Sequence, residues 1–124
     1  MSNALECSGG DTLIFACSGA ADVGAISDRA ARKMTQSGVG KMFCLAGIGG
    51  KVEGIVQKTK AASHVVAIDG CSLDCTKKCL EQAGITNFAY MRVTDLGLEK
   101  GASPATDENI AKVADAAADL LAKP

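Results

Sequence analysis

A chain of 124 residues is long enough to bury one core and build a single domain. Thirteen Lys and Arg stand against fourteen Asp and Glu, and neither sign gathers into a block, so nucleic acid and acidic membranes are not expected partners. Apolar residues form 48% of the chain and aromatic ones only 3%, which leaves Ala, Val, Ile, Leu and Met to make the core.

No apolar run approaches the length of a membrane span, and the first residues lack the basic and apolar regions of a signal peptide. A cytoplasmic location is therefore expected, with residues 1–11 as an N-terminal extension and 12–124 as the domain. In a reducing compartment static disulfides are rare, so six cysteines point to metal binding or redox chemistry.

In chain order, apolar runs predict strands over residues 12–16, 41–46, 64–68 and 88–93, alternating with helical periodicity. Val23, Ile26, Ala30 and Met34 form the inner stripe of a first helix, with Gly38 as its stop. Gly47-Ile48-Gly49-Gly50 opens a second helix whose inward residues are Val52, Ile55, Val56 and Thr59. A third helix is expected from near Leu73 to before Gly84, with Leu73, Thr76, Leu80 and Ala83 inward. Thr106 is the expected cap of a fourth, which carries Ile110, Val113, Ala114, Ala117 and Leu121.

This alternation predicts a three-layer α/β/α domain of flavodoxin or Rossmann-like type, with a mainly parallel four-stranded sheet in the order 2-1-3-4. The strand-to-helix loops then share the carboxyl edge of the sheet, where ligands bind. Cys17 follows the first strand, Cys44 lies near the end of the second, and Cys71 follows the third in Asp69-Gly70-Cys71. Cys75 and Cys79 follow at one-turn intervals. Zinc requires such convergence, since thiolates bind it tetrahedrally at about 2.3 Å. The free N–H groups opening the third helix are expected to lower the thiol pKa of Cys71 and Cys75.

Core packing is the competing explanation for each cysteine. On a helical wheel Cys79 borders the inner face whereas Cys75 points away from it, and Cys44 on its strand faces either layer. Cys7 precedes the first strand and reads as incidental. Asp22, Asp69, Gly70, Thr94 and Asp95 fall at the same edge and are expected to line the pocket or support the ligands, with turns and caps as their structural alternative. The glycine-rich stretch at 47–50 lacks the Lys-Ser/Thr of a phosphate-binding loop and reads as a tight reversal. No arginine follows Cys17 in its loop, which excludes a phosphatase, and His64, the only histidine, starts the third strand at the opposite edge.

Three segments together, Phe15-Ala16-Cys17-Ser18-Gly19-Ala20-Ala21-Asp22-Val23-Gly24, Cys44-Leu45-Ala46-Gly47 and Asp69-Gly70-Cys71-Ser72-Leu73-Asp74-Cys75, resemble the DGC-domain proteins, named for their Asp-Gly-Cys motif. The resemblance runs over residues 12–98. It implies a small α/β domain with four zinc-binding cysteines, which fall here on Cys17, Cys44, Cys71 and Cys75, and it implies no particular reaction. Cys7 and Cys79 lie outside that pattern, and Ser72 stands where proline is frequent.

The expectation is a zinc-binding monomer with Cys79 as the alternative fourth ligand. Two alternatives remain at this level: a metal-dependent enzyme with a three-cysteine open zinc site assisted by Asp22, Asp69 or Asp95, and a thiol redox or iron–sulfur protein.

Overall fold

Residues 11–122 are described by the computed structural model; Cys7 and all but the last residue of the expected extension over residues 1–11 lie outside them. The two central strands, β1 (Thr12–Ala16) and β3 (His64–Asp69), are buried almost throughout, as continuous apolar runs in a sheet covered on both faces must be. Between them in sequence come α1 (Asp22–Gln36), the two-residue β2 (Lys41–Met42), α2 (Leu45–Gly49) and α3 (Glu53–Ala61). Then follow α4 (Cys75–Gln82), β4 (Ala89–Arg92), a 3-10 turn (Val93–Leu96) and α5 (Asp107–Ala122).

All four strands are parallel, as the alternation of strand and helix predicts, and they lie in the expected order β2-β1-β3-β4. Alternating side chains of the strands feed two cores. Ile14, Ala16, Val66 and Ile68 pack with α1 and α5, through Ile26, Met34, Val113 and Ala117 among others. Leu13, Phe15, Val65 and Ala67 pack on the other face with Ile48, Val56 and Leu80 of α2, α3 and α4. Among the described residues no helix is long and apolar enough to cross a membrane.

Helix ends follow local chemistry. Gly38 and Gly84 adopt the left-handed conformation after α1 and α4, and the next residue's N–H reaches back to Met34 and Leu80 carbonyls. Lys51 takes the same role after α2 with φ of 56°, so a non-glycine residue closes that turn. Thr106 caps α5 by accepting the Asn109 N–H at 3.2 Å.

Three expected boundaries are corrected. The strand over 41–46 ends at Met42, because Cys44 begins α2 and draws the chain out of the sheet. The glycine-rich stretch lies in α2 and its C-cap, and α3 packs closely on it: a Cβ on Gly47 would stand 2.3 Å from the Ile55 Cδ1, so that side chain would have to shift. The third predicted helix starts at Cys75, so Leu73 falls in the preceding turn and is 59% exposed rather than inward; Val52, before α3, is 51% exposed for the same reason.

Candidate metal centre

The turn from β3 to α4 is the most heavily bonded part of the carboxyl edge. Asp69, 1% exposed, turns its carboxylate onto the start of α4, accepting the Thr76 N–H at 2.7 Å and the Lys77 N–H at 3.1 Å. It therefore neutralises unpaired helix donors from a neighbouring strand end, with the favourable sign for an anion at a helix N-terminus. The Tyr90 hydroxyl lies 2.9 Å from the carboxylate oxygen that accepts the Lys77 N–H. Gly70 next to it has no left-handed φ; glycine is required because a Cβ would stand 3.0 Å from the backbone of Val23 and Gly24 in α1. The Asp-Gly step thus anchors α4 and lets β3 meet α1 closely, in place of the sharp turn expected for Gly70.

Cys71 and Cys75 flank the turn that follows. Cys71 is half-buried against the α1 and α5 core, with the Lys100 ammonium 3.7 Å from its sulfur. Cys75 is the first residue of α4 and exposed. Its thiol pKa is raised, by the groups packed around it and then by the charges of Cys17, Asp69, Cys71 and Cys79, which reverses the expected lowering by the helix N-terminus. The helix donors that would have lowered it are already committed to Asp69. Cys79 is half-buried beside the second core, its pKa raised by burial and by Asp69 and Cys17.

Cys17 leaves β1 with its N–H bonded to the Ile68 carbonyl at 2.9 Å, and its sulfur accepts the Gly19 N–H at 3.4 Å. The loop after it is stitched to α1: the Ser27 hydroxyl donates to the Cys17 carbonyl, and Ser18 donates to Asp28 at 2.7 Å. Gly24 makes this possible, since a Cβ there would lie 2.7 Å from the Gly19 carbonyl oxygen. Cys44 is exposed at the start of α2, where its sulfur accepts the Gly47 N–H at 3.3 Å.

Asp22 accepts the N–H groups of Val23, Gly101 and Ser103 at 2.8, 2.8 and 3.0 Å, tying the loop before α5 to α1; the Gly101 and Ser103 bonds hold its carboxyl below the usual range. Thr94 is half-buried with its N–H on the Gly70 carbonyl, and Asp95 is exposed. His64 sits exposed at the start of β3, on the opposite edge.

The sequence profile of the DGC domain matches residues 13–117, most of the chain. The chain belongs to the DGC-domain family. The anaerobic and virulence modulator AnvM of Pseudomonas aeruginosa is 31% identical over 88 residues, covering 71% of this chain and 67% of that protein. No solved structure matches.

In this DGC domain the five described cysteines are free, and among the described residues no three His, Cys, Asp or Glu side chains stand close enough to hold a metal ion as placed. A cavity of about 820 Å³ opens beside the short β2, between α1 and α2, where β1 extends beyond its neighbour. Cys44, Cys79, Ser18, Asp28 and Arg32 line it together with Met42 and Phe43. Arg32 donates to Asp28 at 2.9 Å. Sequence reasoning missed Tyr90, Arg92, Lys100 and the Ser18–Asp28–Arg32 group. Tyr90 and Arg92 stand two apart on one strand and so share a face, a signal legible in the sequence; Lys100 carried none.

Proposed function

We propose that this DGC domain binds zinc through Cys17, Cys71 and Cys75, with Cys44 completing the set and Cys79 as the alternative fourth ligand. The observation that carries the reading is convergence: β1, the segment after β2, and the β3–α4 turn each deliver thiols to one edge of one parallel sheet. The donor chemistry fits the ion. Backbone N–H groups already point at the Cys17 and Cys44 sulfurs and an ammonium at Cys71, which offsets part of the charge of about −2 left by four thiolates on zinc. Bound zinc would hold the thiols deprotonated, and the ligand set closes when the exposed Cys44 and Cys75 side chains turn inward.

Four thiolates leave no open position for a substrate, so a structural or regulatory role follows rather than a hydrolytic one. Asp22 and Asp69 are occupied by backbone donors, which leaves neither carboxylate free as a base. The name of the Pseudomonas relative, a modulator, agrees with this choice, and we assign this chain a modulating role in the cytoplasm as a monomer.

A second reading, thiol exchange, is favoured by the exposed Cys44 at the cavity, with an N–H on its sulfur to stabilise a thiolate. That thiolate would attack an external disulfide, forming a mixed disulfide and releasing a thiol.

Elemental analysis of protein purified without added metal separates the readings. The expected result is about one zinc per chain, lost in Cys17→Ala, Cys71→Ala and Cys75→Ala. Cys44→Ala should release the metal and Cys79→Ala should retain it; the reverse pattern assigns the fourth position to Cys79. Metal-free protein whose Cys44 is modified by a small disulfide supports exchange, and visible absorbance from iron would sink both.

A further inference from the structure

Asp74 sits between the two cysteines of the β3–α4 turn in a conformation that most side-chain-bearing residues avoid. Its φ of 58° and ψ of 41° are left-handed, a region that residues other than Gly, Asn and Asp seldom enter. Its backbone links both neighbours: the Asp74 N–H donates to the Cys71 carbonyl at 3.3 Å, and its own carbonyl accepts the Lys78 N–H at 2.9 Å in the first turn of α4. Whatever fixes Asp74 therefore fixes the path from Cys71 to Cys75.

Two β4 side chains do so. Arg92 holds both carboxylate oxygens of Asp74, Nε at 2.7 Å and Nη2 at 2.8 Å, a two-point contact that sets orientation as well as distance. The Tyr90 hydroxyl lies 2.6 Å from Asp74 and 2.9 Å from Asp69, with one proton to share between the two carboxylates. The pair is sheltered, with the Asp74 side chain 15% and that of Arg92 30% exposed. Edge strand β4 thus reaches across to the turn that bears the cysteines.

We propose that Arg92 and Tyr90 are positioning residues for the metal centre, which act through Asp74 to fix the backbone path from Cys71 to Cys75 before any ligand binds, leaving the Cys75 side chain free to turn. The purpose rests on the zinc reading; the restraint on the turn does not. A clamp of this kind lowers the ordering that metal binding must impose, so its loss should weaken metal affinity while leaving the sheet intact.

The test compares Arg92→Met and Arg92→Lys in the full chain, with two measurements. In metal-free protein, amide hydrogen exchange at Asp74 and Lys78 should be about tenfold faster in Arg92→Met, with β1 and β3 amides unchanged. Zinc affinity, from competition with a chromophoric chelator, should fall about 10–100-fold in Arg92→Met and recover in part in Arg92→Lys. If Arg92→Met does not fold, Tyr90→Phe gives the same directions with smaller changes. Unchanged exchange overturns the clamp, and faster exchange with unchanged zinc affinity reduces the contacts to fold support. Should the wild-type protein bind no zinc, the metal reading fails while the exchange rates still decide whether the turn is clamped.

Discussion

The two halves of the carboxyl edge are built differently. On the β3 side, Asp69, Asp74, Tyr90 and Arg92 form a continuous set of short bonds around Cys71 and Cys75, with buried or sheltered carboxylates. On the β2 side, the strand stops after two residues, Cys44 is exposed, and a cavity separates the helix layers. The difference teaches that one half is tied together by side-chain bonds across strands and the other holds its thiol by a single backbone contact.

Substitution on the bonded side should cost most. Asp69→Ala leaves two helix N–H groups without their buried acceptor, while the Tyr90 hydroxyl keeps Asp74, and a loss of about 3 kcal/mol is expected in chemical denaturation of metal-free protein. A loss below about 1 kcal/mol would show that water replaces the carboxylate and that the bonded half is less rigid than its bonds indicate.

Asp22 gives a smaller, pH-dependent effect. Its carboxyl titrates below the ordinary 3.8 because Gly101 and Ser103 donate to the charged form, so its contribution is fully present above that value. As pH falls through and below it, the unfolded chain takes up the proton first, and stability declines until the folded carboxyl also titrates. Asp22→Asn should flatten this acid arm of the stability curve, leaving a shallower slope below about pH 4 in thermal melts. An unchanged slope would show that the loop before α5 is not held by this carboxylate.

The smallest effect is expected across the cavity. Cys44→Ala removes an exposed thiol with one weak bond and should change metal-free stability by less than about 0.5 kcal/mol. A larger loss would mean that Cys44 is needed to start α2, and would blur the contrast between the halves.

Much of the fold was legible because its signals are local or periodic. The apolar runs of β1 and β3, the stripe Val23-Ile26-Ala30-Met34, the stops at Gly38 and Gly84 and the cap at Thr106 depend on neighbours a few residues away. The order 2-1-3-4 was expected because it opens a crevice where the first and third strands diverge, and it is the order found. The segment from Lys41 to Ala46 was misread because Phe43 and Leu45 suit a buried strand as well as the start of a short helix against the second core.

For the candidate site, the sequence by itself determined which thiols reach the carboxyl edge, since a parallel sheet puts every strand-to-helix loop there. Only the tertiary structure decided what surrounds them. Asp69 is committed to the helix that begins at Cys75, Gly70 is small because α1 passes against it, and Arg92 meets Asp74 across eighteen residues. Those relations depend on distances between segments brought together by packing, and no periodicity within a segment encodes them.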